Sequence, residues 1–484
     1  MKKTLLFLLL VAVAMPLQAA GKKIPKQKTA LWEWMNSASD SALACAHDIW
    51  AHPELGEHET FSSRRLADYL EHNGFKLEYG VADVPTAWVA TFENGAGPSV
   101  GYLAEFDALP GLSQKAFCPV REPLVNGGPG HGCGHNLLGT ATAFAAVGVK
   151  NTMLERNIHG TLRVYGCPAE ETLVGKIYMA RAGIFNASQV MLAWHPGTEN
   201  EVNYSSSLAM TSIKFKFFGR TAHGAGDPHH GRSALDAVEL MDTGVNFMRE
   251  HVIDKARVHY VITNGGGAPN VVPDVAEVWY FVRAPKTEDQ RPILEWVRQI
   301  AAAAAQMTQT RMEENLLSSC YEVLLNDPMS QLLQNNLELV GPPRFDSADW
   351  EFARELSKSF DKPDSIPLDT TVGKLELAPQ DKWVFGSGST DDGDVSWCVP
   401  YGCLSTACAV KKAPWHAWQT VSAVGSPVGD KGMLVAAKVL AGGGLDLMTD
   451  PTWIDKAKAD FVKQLRGRTY KCGVPDSLAP PAQR

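Results

Sequence analysis

The chain opens with a compact apolar block, then settles into short apolar runs that alternate with longer amphipathic stretches. Residues 28–80 read as helical, with an apolar stripe through Leu66, Tyr69 and Leu70 that ends at Gly74. Short β runs follow at 87–92 and 99–103, and then a loop, Asp107-Ala108-Leu109-Pro110-Gly111. Residues 137–149 form an Ala-rich helical stretch suited to close packing on a sheet, and 161–166 and 189–194 are again β runs. Strands alternating with helices predict an α/β fold with a mixed sheet covered on both faces. Functional groups in such folds gather at the loops leaving the strand ends.

A different rhythm starts near Ser207. Residues 211–218 read as a strand and 233–249 as an amphipathic helix, opened by Ser233 with Asp236 three residues on. Strands at 258–263 and 275–283, a helix at 288–308 and a strand at 311–324 complete a β-α-β-β-α-β order, which is ferredoxin-like. The segments on either side both read as one α/β core. The expected organisation is therefore a core in two parts, 21–206 and 326–470, with a small α+β domain inserted at 207–325. Residues 471–484, rich in Pro and Ala, are expected to be a loose tail.

The first 20 residues change the picture. Met1-Lys2-Lys3, an apolar stretch from 4 to 16 and small residues up to Ala20 have the layout of a secretory signal peptide. The run is shorter than the ~20 apolar residues that span a bilayer, and no later segment is expected to cross one. An exported, periplasmic protein is expected, free of the membrane after cleavage. In that oxidising setting nine cysteines leave at least one free, metal-bound or intermolecular. Cys398, Cys403 and Cys408 are close enough in sequence to pair, and their connectivity stays open.

With 45% hydrophobic and 20% charged residues, the 484-residue chain is not disordered. Lys and Arg total 45 against 53 Asp and Glu, a net charge of −8 with no basic stripe, which argues against nucleic-acid binding.

Four stretches carry candidate chemistry. Cys133 and His135 lie two apart in Gly130-His131-Gly132-Cys133-Gly134-His135-Asn136, and a thiolate with an imidazole suits a borderline metal. Glu170 and Glu171 follow the β run ending at Gly166, His195 ends the next, and His416 sits in Pro414-Trp415-His416-Ala417-Trp418. Each alone reads equally well as structural. Together Cys133, His135, Glu171, His195 and His416 are too many for one tetrahedral zinc with an open position, and two metals sharing a ligand would use them. Glu170 is then left as a carboxylate for proton transfer in metal-assisted hydrolysis. A metal-free thiol hydrolase with Cys133 as nucleophile leaves Glu171, His195 and His416 unexplained. A non-catalytic binding protein would be expected to have lost the base or the ligands.

These motifs, with Gly219-Arg220-Thr221-Ala222-His223 and Gly231-Arg232-Ser233-Ala234-Leu235-Asp236-Ala237, resemble the M20 family of metallopeptidases over nearly the whole chain after the leader. The likeness is to its amidohydrolase branch of hippurate, indole-acetyl-amino-acid and aminobenzoyl-glutamate hydrolases. The stretch Gly388-Ser389-Thr390-Asp391 with Gly393-Asp394-Val395-Ser396-Trp397 is especially similar to the last of these. The resemblance implies a di-metal catalytic core and an inserted lid domain that also makes a homodimer. It implies that Cys133 bridges two divalent ions, Zn2+ or Mn2+, with His135, Glu171, His195 and His416 completing the set. Glu170 would be the general base, and His223 would stabilise the oxyanion from the partner's lid. Asn270 and Arg283 would recognise a substrate carboxylate, and Asp107 would orient a His ligand. The implied reaction is hydrolysis of N-acyl amino acids such as aminobenzoyl-glutamate, with an exported dipeptidase or carboxypeptidase as the alternative. The leader departs from the cytoplasmic two-subunit pattern of the aminobenzoyl-glutamate enzymes, so a second subunit is not carried over.

Overall fold

The computed structural model describes residues 24–480, and the leader read at 1–20 lies outside them. The chain begins with helices α1 (Lys26–Ala51) and α2 (Thr60–His72), followed by strands β1 (Lys76–Tyr79), β2 (Trp88–Asn94) and β3 (Ser99–Ala104). The stretch expected as one helical run is thus interrupted. Pro53 lies between α1 and α2, where its ring cannot continue a helix. Gly74, at φ +82, turns the chain into β1.

Next come α3 (His135–Arg156), β4 (Gly160–Gly166), α4 (Gly175–Arg181), β5 (Val190–Gly197) and β6 (Glu201–Val202). The chain then runs through β7 (Ala209–Phe218), α5 (Ala234–Met248), β8 (Arg257–Asn264), β9 (Val275–Ala284), α6 (Thr287–Thr308) and β10 (Arg311–Cys320). It ends with α7 (Asp327–Val340), α8 (Ser347–Ser357), α9 (Asp392–Ser396), β11 (Tyr401–Ala407), α10 (Trp418–Val424), α11 (Pro427–Thr449) and α12 (Thr452–Leu465).

The larger sheet has the order β1-β2-β4-β3-β5-β11-β6. Its centre, β4, β3, β5 and β11, is parallel, while β1, β2 and β6 pair antiparallel. Because the pleat alternates, Val190, Leu192 and Trp194 of β5 join the core shared with α1, α3 and α11. Met191 and Ala193 join a second core with α4 and α9 on the opposite face. Burial on both faces is why these strands read as unbroken apolar runs. All four parallel strands end at the same edge, and the candidate residues follow those ends.

The smaller sheet, β10-β7-β9-β8, is antiparallel throughout and has the ferredoxin-like order. In β9, Ala276, Val278, Tyr280, Val282 and Ala284 are buried against α5 and α6. The intervening Trp279, Phe281 and Arg283 therefore emerge on the other face.

Two further expectations are corrected. Residues 471–480 are not loose: Val474 is buried, and Cys472 and Leu478 pack on the second core. Arg181 donates to the carbonyls of Pro475 and Leu478 at 2.6 and 2.8 Å, and the Tyr178 hydroxyl donates to that of Ala479. Helix α11 is, by length and composition, apolar enough to cross a membrane, contrary to the expectation of no such segment; most of it is buried in the core. All nine cysteines are free thiols, with no pair among Cys398, Cys403 and Cys408.

Candidate active site

A cavity of about 770 Å³ opens at the shared edge of the parallel strands, between the two sheets. Cys133, Glu170, Glu171, His195, His416 and Arg283 all line it. The approach is close because Gly132 and Gly134 lack side chains. A Cβ on Gly132 would lie 2.5 Å from Leu112 Cδ1 and 3.3 Å from the His416 Cα, and one on Gly134 would lie 3.0 Å from Pro196. Gly134 also takes φ +79, the left-handed turn from which α3 starts at His135.

Cys133 Sγ is 3.3 Å from His195 Nε2. His195 Nδ1 lies 2.8 Å from the Pro196 carbonyl and donates to it, which leaves the Nε2 lone pair facing the thiol. His135 Nδ1 donates to Asp107 Oδ1 at 2.8 Å, while the other Asp107 oxygen accepts from the Glu171 amide at 2.9 Å. His416 Nε2 is 3.4 Å from Glu171 Oε2. The loop positions are strained: Ala169, Leu173 and His416 have φ of 57°, 56° and 56°. Such backbone costs about 1–3 kcal/mol per residue and persists only where its surroundings enforce it.

Two sets of donor atoms each lie within 4.8 Å of one another, Cys133-His135-His195 and Cys133-Glu171-His416, and they share the Cys133 sulfur. His135 Nε2 and Glu171 Oε1 are buried with no hydrogen-bond partner. Orphaned buried atoms of this kind are costly, and a pair of divalent cations would satisfy both. The electrostatics agree. Burial pushes Glu171 up to about 7, and burial with the neighbouring Glu105 pushes Glu170 well above the carboxylate range. Burial, followed by the Glu171 charge, also raises the Cys133 thiol. That is the reverse of an activated nucleophile, whereas a coordinated thiol is deprotonated outright.

His223 and Asn270 are placed elsewhere. Both are exposed and neither lines the cavity of its own chain. They meet in a lid loop where the Gly224 amide donates to the Asn270 carbonyl at 2.8 Å. His223 Nδ1 accepts from the amides of Ala225 and Gly226 at 3.2 and 2.9 Å, so the ring proton sits on Nε2 and points outward as a donor. Arg283 donates to Ser389 Oγ at 3.3 Å, and its buried Nε has no partner. Trp279 and Phe281, four and two positions back on the same strand face, wall the cavity beside it.

The motifs pass over Glu105 and Lys176. Glu105 lies two residues before Asp107, just past the end of β3, and its Oε2 is 3.3 Å from His135 Nε2. That i, i+2 acid pair after a strand was the available signal. Lys176 is a fully buried lysine on α4 that touches Glu105, and nothing around it in sequence marks it.

A family model described as a peptidase dimerisation domain matches residues 208–308. A p-aminobenzoyl-glutamate hydrolase polypeptide of Escherichia coli (strain K12) is 38% identical over 458 residues, covering 90% of this chain and 95% of that protein. The Xaa-Arg dipeptidase of Homo sapiens is 28% identical over 460 residues, covering 90% and 92%. Among solved structures, a dinuclear metal-binding M20 peptidase of Bacillus subtilis shares the fold, with a TM-score of 0.55 and 16% identity over 87% of this chain and 99% of that one. The matched lid, the near full-length relative and the shared fold place this chain in the M20 family of peptidases and amidohydrolases, as a hydrolase.

Proposed function

We propose that this protein hydrolyses the amide bond of N-acyl amino acids that carry a free carboxylate, aminobenzoyl-glutamate among them, using two divalent ions, Zn2+ or Mn2+. The observation that supports this most is the pair of donor sets sharing Cys133, set across one cavity from Arg283. His135 and His195 would hold one ion, Glu171 and His416 the other, with Cys133 between them. When bound, such ions polarise a scissile carbonyl and bring water's pKa towards neutrality.

Glu170 takes the proton of the attacking water and delivers it to the departing amine. Its buried carboxyl holds a proton tightly at the uncharged site, and neighbouring cations would bring it back towards neutral pH. Arg283 pairs with the carboxylate of the leaving amino acid, because a guanidinium fork matches it with two hydrogen bonds. His223 Nε2–H serves as oxyanion donor in the partner subunit, aided by Asn270 at the substrate carboxylate. Its outward aim and its absence from its own cavity support that arrangement, as does the dimerisation-domain match. The leader supports export to the periplasm, and a second kind of subunit is not required.

A dipeptidase acting on Xaa-Arg substrates is the second reading. Glu57 and Asp392 line the cavity and could face a cationic side chain, and one relative carries that name. Purified enzyme loaded with zinc or manganese is offered aminobenzoyl-glutamate, hippurate, their carboxamides and Xaa-Arg dipeptides. The proposal expects the two acyl amino acids to be cleaved with the highest kcat/KM and chelation to abolish turnover. Equal rates on acids and carboxamides, or full activity without metal, would reject it.

A further inference from the structure

Lys176 Nζ lies 2.7 Å from Glu105 Oε1, 2.5 Å from Asp391 Oδ1 and 3.2 Å from Asp392 Oδ1. Its backbone amide also donates to Asp391 Oδ2 at 2.9 Å. The three acids come from two separate segments. Glu105 follows β3 and abuts His135 Nε2 at 3.3 Å, on the floor of the cavity. Asp391 and Asp392 open α9, shortly after Ser389, which accepts from Arg283. Asp392 further accepts from the Tyr401 hydroxyl at 2.5 Å, and Ser389, Asp392 and Tyr401 all face the cavity.

One ammonium thus joins the hydrolytic floor to the substrate wall. Oxygens of Glu105, Asp391 and Asp392 cluster closely enough to hold a cation, and the lysine is the cation they hold. A buried charge is tolerated only when it is paired and hydrogen-bonded, and this one is tied to carboxylates on both sides. The bond from the Lys176 amide to Asp391 also pins the start of α4, and so the strained loop that carries Glu170 and Glu171.

We propose that Lys176 is a positioning residue for the hydrolysis. It fixes the wall formed by Ser389, Asp392 and Arg283 at a set distance from Glu170 and His135, so that a bound acyl amino acid meets the base in register. The inference rests on the hydrolase function proposed above.

Lys176→Ala leaves a hole next to the cavity that a small alkylammonium can enter, because Glu105 and Asp392 line that cavity. The variant should keep wild-type metal content and lose about 100-fold in kcat/KM, the effect of a ~1 Å misplacement. Ethylammonium chloride should restore most of the loss saturably, and ethanol should not. Full activity without additive, or equal effects of ethylammonium and ethanol, would overturn the role. Occupancy is read without turnover: ethylammonium should raise the Tm of Lys176→Ala and leave that of the wild type unchanged, as a ligand of the folded state does. No rise would likewise overturn it, whereas a wild type inactive on every amide would reject the hydrolase function instead. If Lys176→Ala does not fold, Lys176→Met with Asp391→Asn removes one charge of each sign. That pair should fold and remain far below wild type with no ammonium rescue, and wild-type activity in it would overturn the proposal.

Discussion

Asp107 accepts a hydrogen bond from His135 Nδ1 at 2.8 Å with one oxygen and from the Glu171 amide at 2.9 Å with the other. One buried carboxylate thereby aims two of the groups that face the shared cavity. Burial works against its charge, but His135 and the hydrogen bonds hold Asp107 below the ordinary carboxylate range. Asp107→Asn keeps the shape yet removes the charge that orients the imidazole. Metal affinity should fall about 10–100-fold, the usual effect of losing such a partner. Competition with a chromophoric chelator measures it, and unchanged affinity would show that His135 needs no orienting group.

Glu170 separates chemistry from binding. Glu170→Gln is nearly isosteric and should lower kcat by about 10²–10⁴ while KM changes little, since a general base acts on the proton and not on substrate affinity. Metal content should match wild type. A variant that loses metal in proportion to activity would instead make Glu170 a ligand.

Much of this site is legible in the chain, and the gaps have physical causes. His195 and Glu171 could be placed because they follow unbroken apolar runs, the mark of strands buried on both faces. Arg283 could be placed because β9 alternates cleanly, which puts it on the face opposite Val282 and Ala284. Glu105 and Lys176 could not, since their pairing joins segments 71 residues apart and no local pattern encodes it. The C-terminal segment misled through its Pro and Ala content, which describes backbone preference and says nothing of where Val474 and Leu478 dock.

Arg283 should reveal the polarity of the substrate. Arg283→Met keeps a long apolar stem beside Phe281 and removes the guanidinium. A charge-assisted hydrogen bond contributes about 1.5–3 kcal/mol, so kcat/KM for acyl amino acids should fall by roughly 10–150-fold. The corresponding carboxamides should be little affected. Parallel losses on both substrates would place Arg283 in the framework of the cavity.

Asp394 ties the C-terminal segment to the core, accepting from the Tyr470 hydroxyl at 2.6 Å and the Tyr321 amide at 3.1 Å. Burial pushes its carboxyl from 3.8 up to about 7. The folded chain then keeps a proton across that window which the unfolded chain has released. Its contribution to stability is full below the unfolded value and is lost as pH rises towards the folded one. The stability of Asp394→Asn relative to wild type should therefore climb from pH 3.8 to about 7 and level off above. Chemical unfolding at pH values spanning that window measures the difference, and a flat difference would contradict the assignment.

Completion of the site across a dimer is open to a direct test. His223 and Asn270 stand exposed on the lid, while Glu170 and the Cys133 cluster lie in the core cavity of the same chain. Glu170→Ala and His223→Ala should each be severely impaired as homodimers. When the two are mixed and allowed to exchange subunits, about half of the dimers become mixed. In each mixed dimer one site has Glu170 from one chain and His223 from the other, and the second site lacks both. About a quarter of wild-type activity should then return under two-fold symmetry. If His223 served its own chain, every site in every dimer would lack one of the two groups. Exchange verified by mass, with no activity regained, would therefore confine the site to one subunit.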